Sequence, residues 1–114
     1  MYKIIKIILL LILTLAISLQ SVHANEKIKI GLLVPLTGVN AEIGQSIINS
    51  TRLAINKINN HGIEIIPKDS GSDPSIALTS AKELSGLGIK IIIGPVFNYN
   101  LEYLDELKEI TFLS

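Results

Sequence analysis

An α/β fold, a doubly wound parallel sheet in the order βαβαβαβ, is predicted by three features of this 114-residue chain. Short β-branched runs alternate with longer stretches of helical period. Each run leads through a turn rich in Gly, Pro, Asn or Asp into a helix start. The run Ile89–Ile93 is β-branched apart from Lys90, and reads as a parallel strand buried on both faces. Strands alternating with helices imply right-handed crossovers, and therefore a parallel sheet.

Before the first strand, residues 1–24 read as a targeting segment. Lys3 and Lys6 form a basic n-region, and Ile7 to Ile17 is apolar except for Thr14. Val22-His23-Ala24 places small residues ahead of cleavage after Ala24. The apolar run is shorter than the roughly 20 residues of a spanning helix. A cleaved signal peptide is expected, with no stable membrane anchor afterwards and a periplasmic destination. The domain is then residues 25–114. The absence of cysteine excludes lipid attachment at an N-terminal Cys, disulfides and thiolate metal sites.

The elements follow in order. Lys27–Val34 is the first strand, and Pro35–Asn40 the turn after it. From Ala41 to about Asn60 a helix sets Ile43, Ile47, Ile48, Thr51, Ala54, Ile55 and Ile58 on one stripe. His61-Gly62 ends it, with Gly62 supplying positive φ. Ile63–Lys68 is the second strand, closed by Asp69-Ser70-Gly71. Asp73-Pro74 opens the next helix, Asp as N-cap and Pro where its missing N–H costs nothing. Its buried face is Ile76, Ala77, Ala81, Leu84 and Leu87, and Gly86 and Gly88 stop it. After the third strand, a helix over Tyr99–Lys108 uses Leu101, Leu104 and Leu107, and a fourth strand begins at Ile110.

Composition removes several function classes. Without Lys3 and Lys6, eight basic residues face ten acidic ones. No field is built for nucleic acid or an acidic membrane. Aromatic residues are sparse and tryptophan is absent, so base-stacking platforms are lacking. No phosphate loop, dinucleotide fingerprint, nucleophile elbow or paired-histidine metal motif occurs. Beyond the leader the one histidine is His61, at a helix end. Neither catalysis nor a cofactor or metal is expected.

A strand feeding a helix delivers its loop to one edge of a parallel sheet, where ligands of open α/β folds bind. The turns after the first and third strands should therefore lie side by side. Thr37, Gly38 and Asn40 could offer backbone N–H groups at a helix start to an anion or carboxylate. Equally, Gly38 could only turn the chain and Asn40 only cap the helix. Ile43 and Gly44 belong to the first turn of that helix. In the other loop Phe97, Asn98 and Tyr99 are the candidates, Asn98 being also a plausible N-cap. Asp69 and Asp73 read as turn and cap; an acid pair for hydrolysis is the sharper alternative.

Three blocks carry a resemblance. IGLLVPLTGVNAEIGQSIINSTRLAINKIN, PKDSGSDPSIALTSAKEL and GIKIIIGPVFNYN together resemble the opening of type I periplasmic binding proteins, the leucine-binding-protein family. The resemblance covers the first half of one lobe, so the chain reads as the N-terminal part of a two-lobed protein, a partial Rossmann-like lobe. LLVPLTG, KDSG and IGPVF look most like the branch of penicillin-binding protein activators. That branch implies a protein partner, a cell-wall synthase, and a role in peptidoglycan synthesis. The alternative it implies is the receptor of an importer for a small solute such as an amino acid. In amino-acid receptors a small hydroxylated residue follows the third strand; here Phe97, Asn98 and Tyr99 stand there.

Overall fold

The computed structural model describes the backbone of residues 1–18 and 26–114 and the side chains of 1–14 and 26–114. Helix α1 spans Tyr2–Ser18. Its apolar side chains from Ile4 to Leu13 are exposed. Among the described residues no helix is long and apolar enough to cross a membrane. The cleavage point expected after Ala24 lies outside the described residues.

Strand β1 is Ile28–Val34, helix α2 Ala41–Lys57, strand β2 Ile63–Asp69 and helix α3 Pro74–Gly86. Strand β3 is Ile91–Ile93; a 3₁₀ turn at Asn98–Asn100 runs into helix α4, Leu101–Leu104, and strand β4 is Thr111–Leu113. The sheet has the order β2-β1-β3-β4 and every pair is parallel. Pro67 interrupts the donors of β2 without cost to a central ladder, because β2 is an edge strand.

Residue alternation along the strands divides the core in two. Leu33 of β1 and Ile92 of β3 face α3 and α4, where they bury Ala77, Ala81, Leu84, Ile89, Leu104 and Ile110. Leu32 and Val34 face α2 and meet Ile48. Each fully buried Leu or Ile contributes about 1.5–3 kcal/mol relative to exposure, so the α3 side dominates cohesion. Gly31 permits this packing, since a Cβ there would stand 2.9 Å from Leu84 Cδ1.

Several expectations from the sequence are corrected by this packing. β3 is fully buried on one face only: Ile92 is inaccessible, whereas on the other face Ile91 is exposed and Ile93 is half-buried against the cluster of Leu32, Val34 and Ile48. Of the α2 stripe only Ile48 is buried, and Ile43, Ala54 and Ile58 are exposed. In α3, Ile76 and Leu87 are also exposed. α2 ends at Lys57, and the residue with positive φ is Asn59, not Gly62. Asn tolerates that conformation better than other side-chain-bearing residues. The third helix shrinks to a 3₁₀ turn plus four residues, with Leu104 buried and Leu101 and Leu107 half-buried.

Candidate functional site

Because β1 and β3 pair in parallel, Gly31 opposite Ile92 and Leu32 opposite Ile93, the segments that follow them leave the same edge. β2 lies on the other flank of β1, with Val34 opposite Asp69. Three segments therefore share one rim: 35–40, 70–73 and 94–100. The two loops singled out from sequence, with Thr37, Gly38 and Asn40 on one and Phe97, Asn98 and Tyr99 on the other, emerge from neighbouring strands. Close approach there depends on glycine. Gly94 has φ +109 and a Cβ on it would run into the Leu33 carbonyl oxygen.

The 35–40 segment is held by polar contacts. Asp69 Oδ1 accepts from Leu36 N–H at 2.7 Å and from Gly71 N–H at 2.8 Å. The Thr37 hydroxyl donates to Asp69 Oδ2 at 2.6 Å. Gly38 has φ +79, and Ser72 Oγ stands 2.5 Å from where its Cβ would be. Ser70 N–H donates to the Val34 carbonyl at 2.8 Å. Ser80 Oγ donates to the Asp69 carbonyl at 2.6 Å, fixing α3 to the end of β2.

Partial burial pushes the Asp69 carboxyl up, yet hydrogen bonds from Thr37, Leu36 and Gly71 outweigh it and hold the group below its ordinary 3.8. Asp73 accepts from Ser75 N–H at 2.8 Å as the N-cap of α3, and that bond lowers its carboxyl as well. A general acid needs a carboxyl raised toward neutrality. Neither aspartate has one, so the reading as a hydrolytic pair is unsupported. Among the described residues no group of His, Cys, Asp and Glu could hold a metal ion.

Asn40 stands at the N-cap of α2 without a side-chain capping bond; its carbonyl accepts from Ile43 N–H at 3.0 Å and Gly44 N–H at 3.3 Å. Gly44 is buried, and a Cβ there would collide with the Pro35 carbonyl, so its part is close packing. Ile43 is exposed and lines an open groove of about 460 Å³ along α2 with Glu42, Ser46, Ile47, Ser50 and Thr51. Asn98 is exposed and is not a cap: Phe97 precedes the 3₁₀ turn and accepts from Asn100 N–H at 3.2 Å. Phe97 and Tyr99 stack, ring centroids 5.6 Å apart and planes 7° apart. Tyr99 is 47% exposed, which leaves ring surface open at the rim.

Sequence reading passed over Asn100 and Ser72. Asn100 is fully buried, with neither side-chain atom hydrogen-bonded among the described residues; nothing in NYN marks the third residue as the interior one. Ser72 becomes visible only through the φ of Gly38. The bracing by Asp69 follows from the parallel register of β1 and β2.

A model of the periplasmic binding protein family matches residues 27–109. The Leu/Ile/Val-binding protein BraC3 of Rhizobium johnstonii is 32% identical over 79 residues, covering 64% of this chain and 22% of that protein. A solute binding protein of an ABC transporter from Rhodopseudomonas palustris, solved in complex with 3,4-dihydroxybenzoic acid, is 31% identical with a TM-score of 0.65. That match covers 71% of this chain and 24% of the other. Full-length LpoA from Haemophilus influenzae shares the fold at a TM-score of 0.62 and 22% identity, over 77% of this chain and 16% of LpoA. The chain thus spans less than a quarter of the length of each of these proteins. With the match running from Lys27 through α4 and the sheet all parallel, the chain belongs to the periplasmic binding protein family.

Proposed function

We propose that this chain supplies part of the recognition rim of a periplasmic, non-catalytic solute receptor serving an ABC importer. The observation that carries the reading is the pairing of β1 with β3, which sets Thr37–Asn40 beside Phe97–Tyr99 at the ligand-binding edge of an open α/β sheet. Sequence wording alone favours the cell-wall-synthase partner. The receptor is preferred because two relatives above 30% identity are named as a Leu/Ile/Val-binding protein and a solute binding protein. LpoA, at 22%, shows the fold alone. The ring surface of Tyr99 and the exposed amide of Asn98 suit a small organic solute with apolar and polar parts.

The activator reading keeps one specific observation in its favour. An exposed aromatic pair is also the kind of anchor that dominates protein interfaces.

Calorimetry of the purified chain against branched-chain amino acids and 3,4-dihydroxybenzoic acid separates the two. Solute binding is expected, with a melting temperature that rises with solute concentration as mass action requires. Capture of a cell-wall synthase with no response to any solute would overturn the receptor assignment.

A further inference from the structure

We propose that Asp69 is a positioning residue for the recognition rim: its carboxylate ties the 35–40 loop to the 70–73 turn and thereby presents Thr37–Asn40 in one conformation. The proposal rests on the assignment of recognition to this rim. Three donors from two segments converge on one side chain: Leu36 N–H and Gly71 N–H on Oδ1, and the Thr37 hydroxyl on Oδ2. Leu36 and Thr37 lie more than thirty positions from Asp69 in sequence, so the bonds join separate loops and do not merely close a local turn. Ser72 stands close to Gly38 one residue farther out, its Oγ 2.5 Å from where a Cβ on Gly38 would be. Bonds to an ionised acceptor are roughly twice as strong as neutral ones.

A consequence concerns Thr37. Its hydroxyl proton is committed to Asp69, so a solute meets this loop through the backbone around Gly38 and through the side chain of Asn40, and not by receiving the Thr37 proton. Loop 94–100 has no equivalent carboxylate; its contacts run through Gly94, the Phe97–Tyr99 stack and backbone bonds.

Amide hydrogen exchange and ¹H–¹⁵N spectra of the 114-residue chain test the proposal without any solute, so its failure is separate from failure of the receptor assignment. Asp69→Ala is expected to speed exchange at Leu36 and Gly71 by about tenfold, the factor one charge-assisted bond supplies. Core amides of Leu32 and Ile92 should change far less. Asp69→Asn keeps the Oδ1 acceptor and should restore protection at Leu36 and Gly71, which loss of bulk structure alone would not produce. Uniform acceleration across the core in Asp69→Ala, or unchanged exchange at Leu36 and Gly71, would overturn the proposal. Should Asp69→Ala fail to fold, Asp69→Asn and Thr37→Val carry the test. Thr37→Val removes the Oδ2 link and should displace the Gly38–Asn40 amide signals. Asp69→Asn can reverse the bond, its Nδ2–H donating to the Thr37 hydroxyl, and should displace them less. Undisplaced signals in Thr37→Val would sink the tie.

Discussion

The loop after β1 and the loop after β3 leave one edge of the sheet, yet different forces hold them. Loop 35–40 is fastened by a carboxylate that gathers three donors. Loop 94–100 is fastened by steric fit and backbone bonds: Gly94 packs close to Leu33 and donates its N–H to the Leu113 carbonyl, Phe97 stacks on Tyr99, and the Asn100 side chain is buried without a hydrogen-bond partner among the described residues. The polar fastening is specific and sensitive to proton concentration. The steric one tolerates little change in volume but is indifferent to pH.

The largest effect should come from Gly94→Ala. Its backbone φ disfavours any Cβ, and the added methyl would enter the space of the Leu33 carbonyl oxygen. A loss of about 2–4 kcal/mol is expected, read by urea denaturation; an unchanged midpoint would mean that fit does not hold the β3 loop. Next comes Asp69→Ala, at about 1–3 kcal/mol, because backbone donors lose a charged acceptor.

Acidification sharpens the same contrast. The Asp69 carboxyl lies below 3.8 in the folded chain, so its stabilisation is complete above the unfolded value and fades as pH falls through the folded one. Asp73 shifts in the same direction. The urea midpoint should therefore drop in acid more steeply for the native chain than for Asp69→Asn, and parallel curves would contradict the brace. Asn100→Leu removes a buried amide lacking partners. It should be neutral or stabilising by up to about 1 kcal/mol, and a large loss would reveal a partner for that amide. Tyr99→Ala should cost little stability, about 0.5–1 kcal/mol from the lost ring pair, while solute binding should fall markedly.

The parallel sheet was legible because its signals are local. β-branched runs, a Gly/Pro turn after each and Asp73-Pro74 at a helix start all act within a few residues, and each appears in place. What escaped depends on neighbours distant in sequence. Ile91, Ile43 and Ile58 look like core residues until the packing is known, in which α2 meets the sheet chiefly through Ile48. The helix expected over Tyr99–Lys108 has the right leucines, but its start is tightened into a 3₁₀ turn and it stops at Leu104. Asp69 read as a turn residue because its Gly71 bond is local, whereas its bonds to Leu36 and Thr37 need the register of two strands. Candidate rim residues fared likewise. The turn chemistry of Thr37, Gly38 and Asn40 places them in the loop after β1, while the burial of Asn100 beside exposed Asn98 carries no sequence signature.

A spin label answers the central claim most directly, since the chain has no native cysteine to compete for it. Val39 is 95% exposed, so Val39→Cys accepts a label at the tip of the first loop without disturbing packing. Paramagnetic broadening should reach the amides of residues 70–73 and 96–100 while sparing 61–63 and 87–90 at the far ends of the strands. Broadening of the far-end amides, with 96–100 left sharp, would show that the two loops do not form one rim.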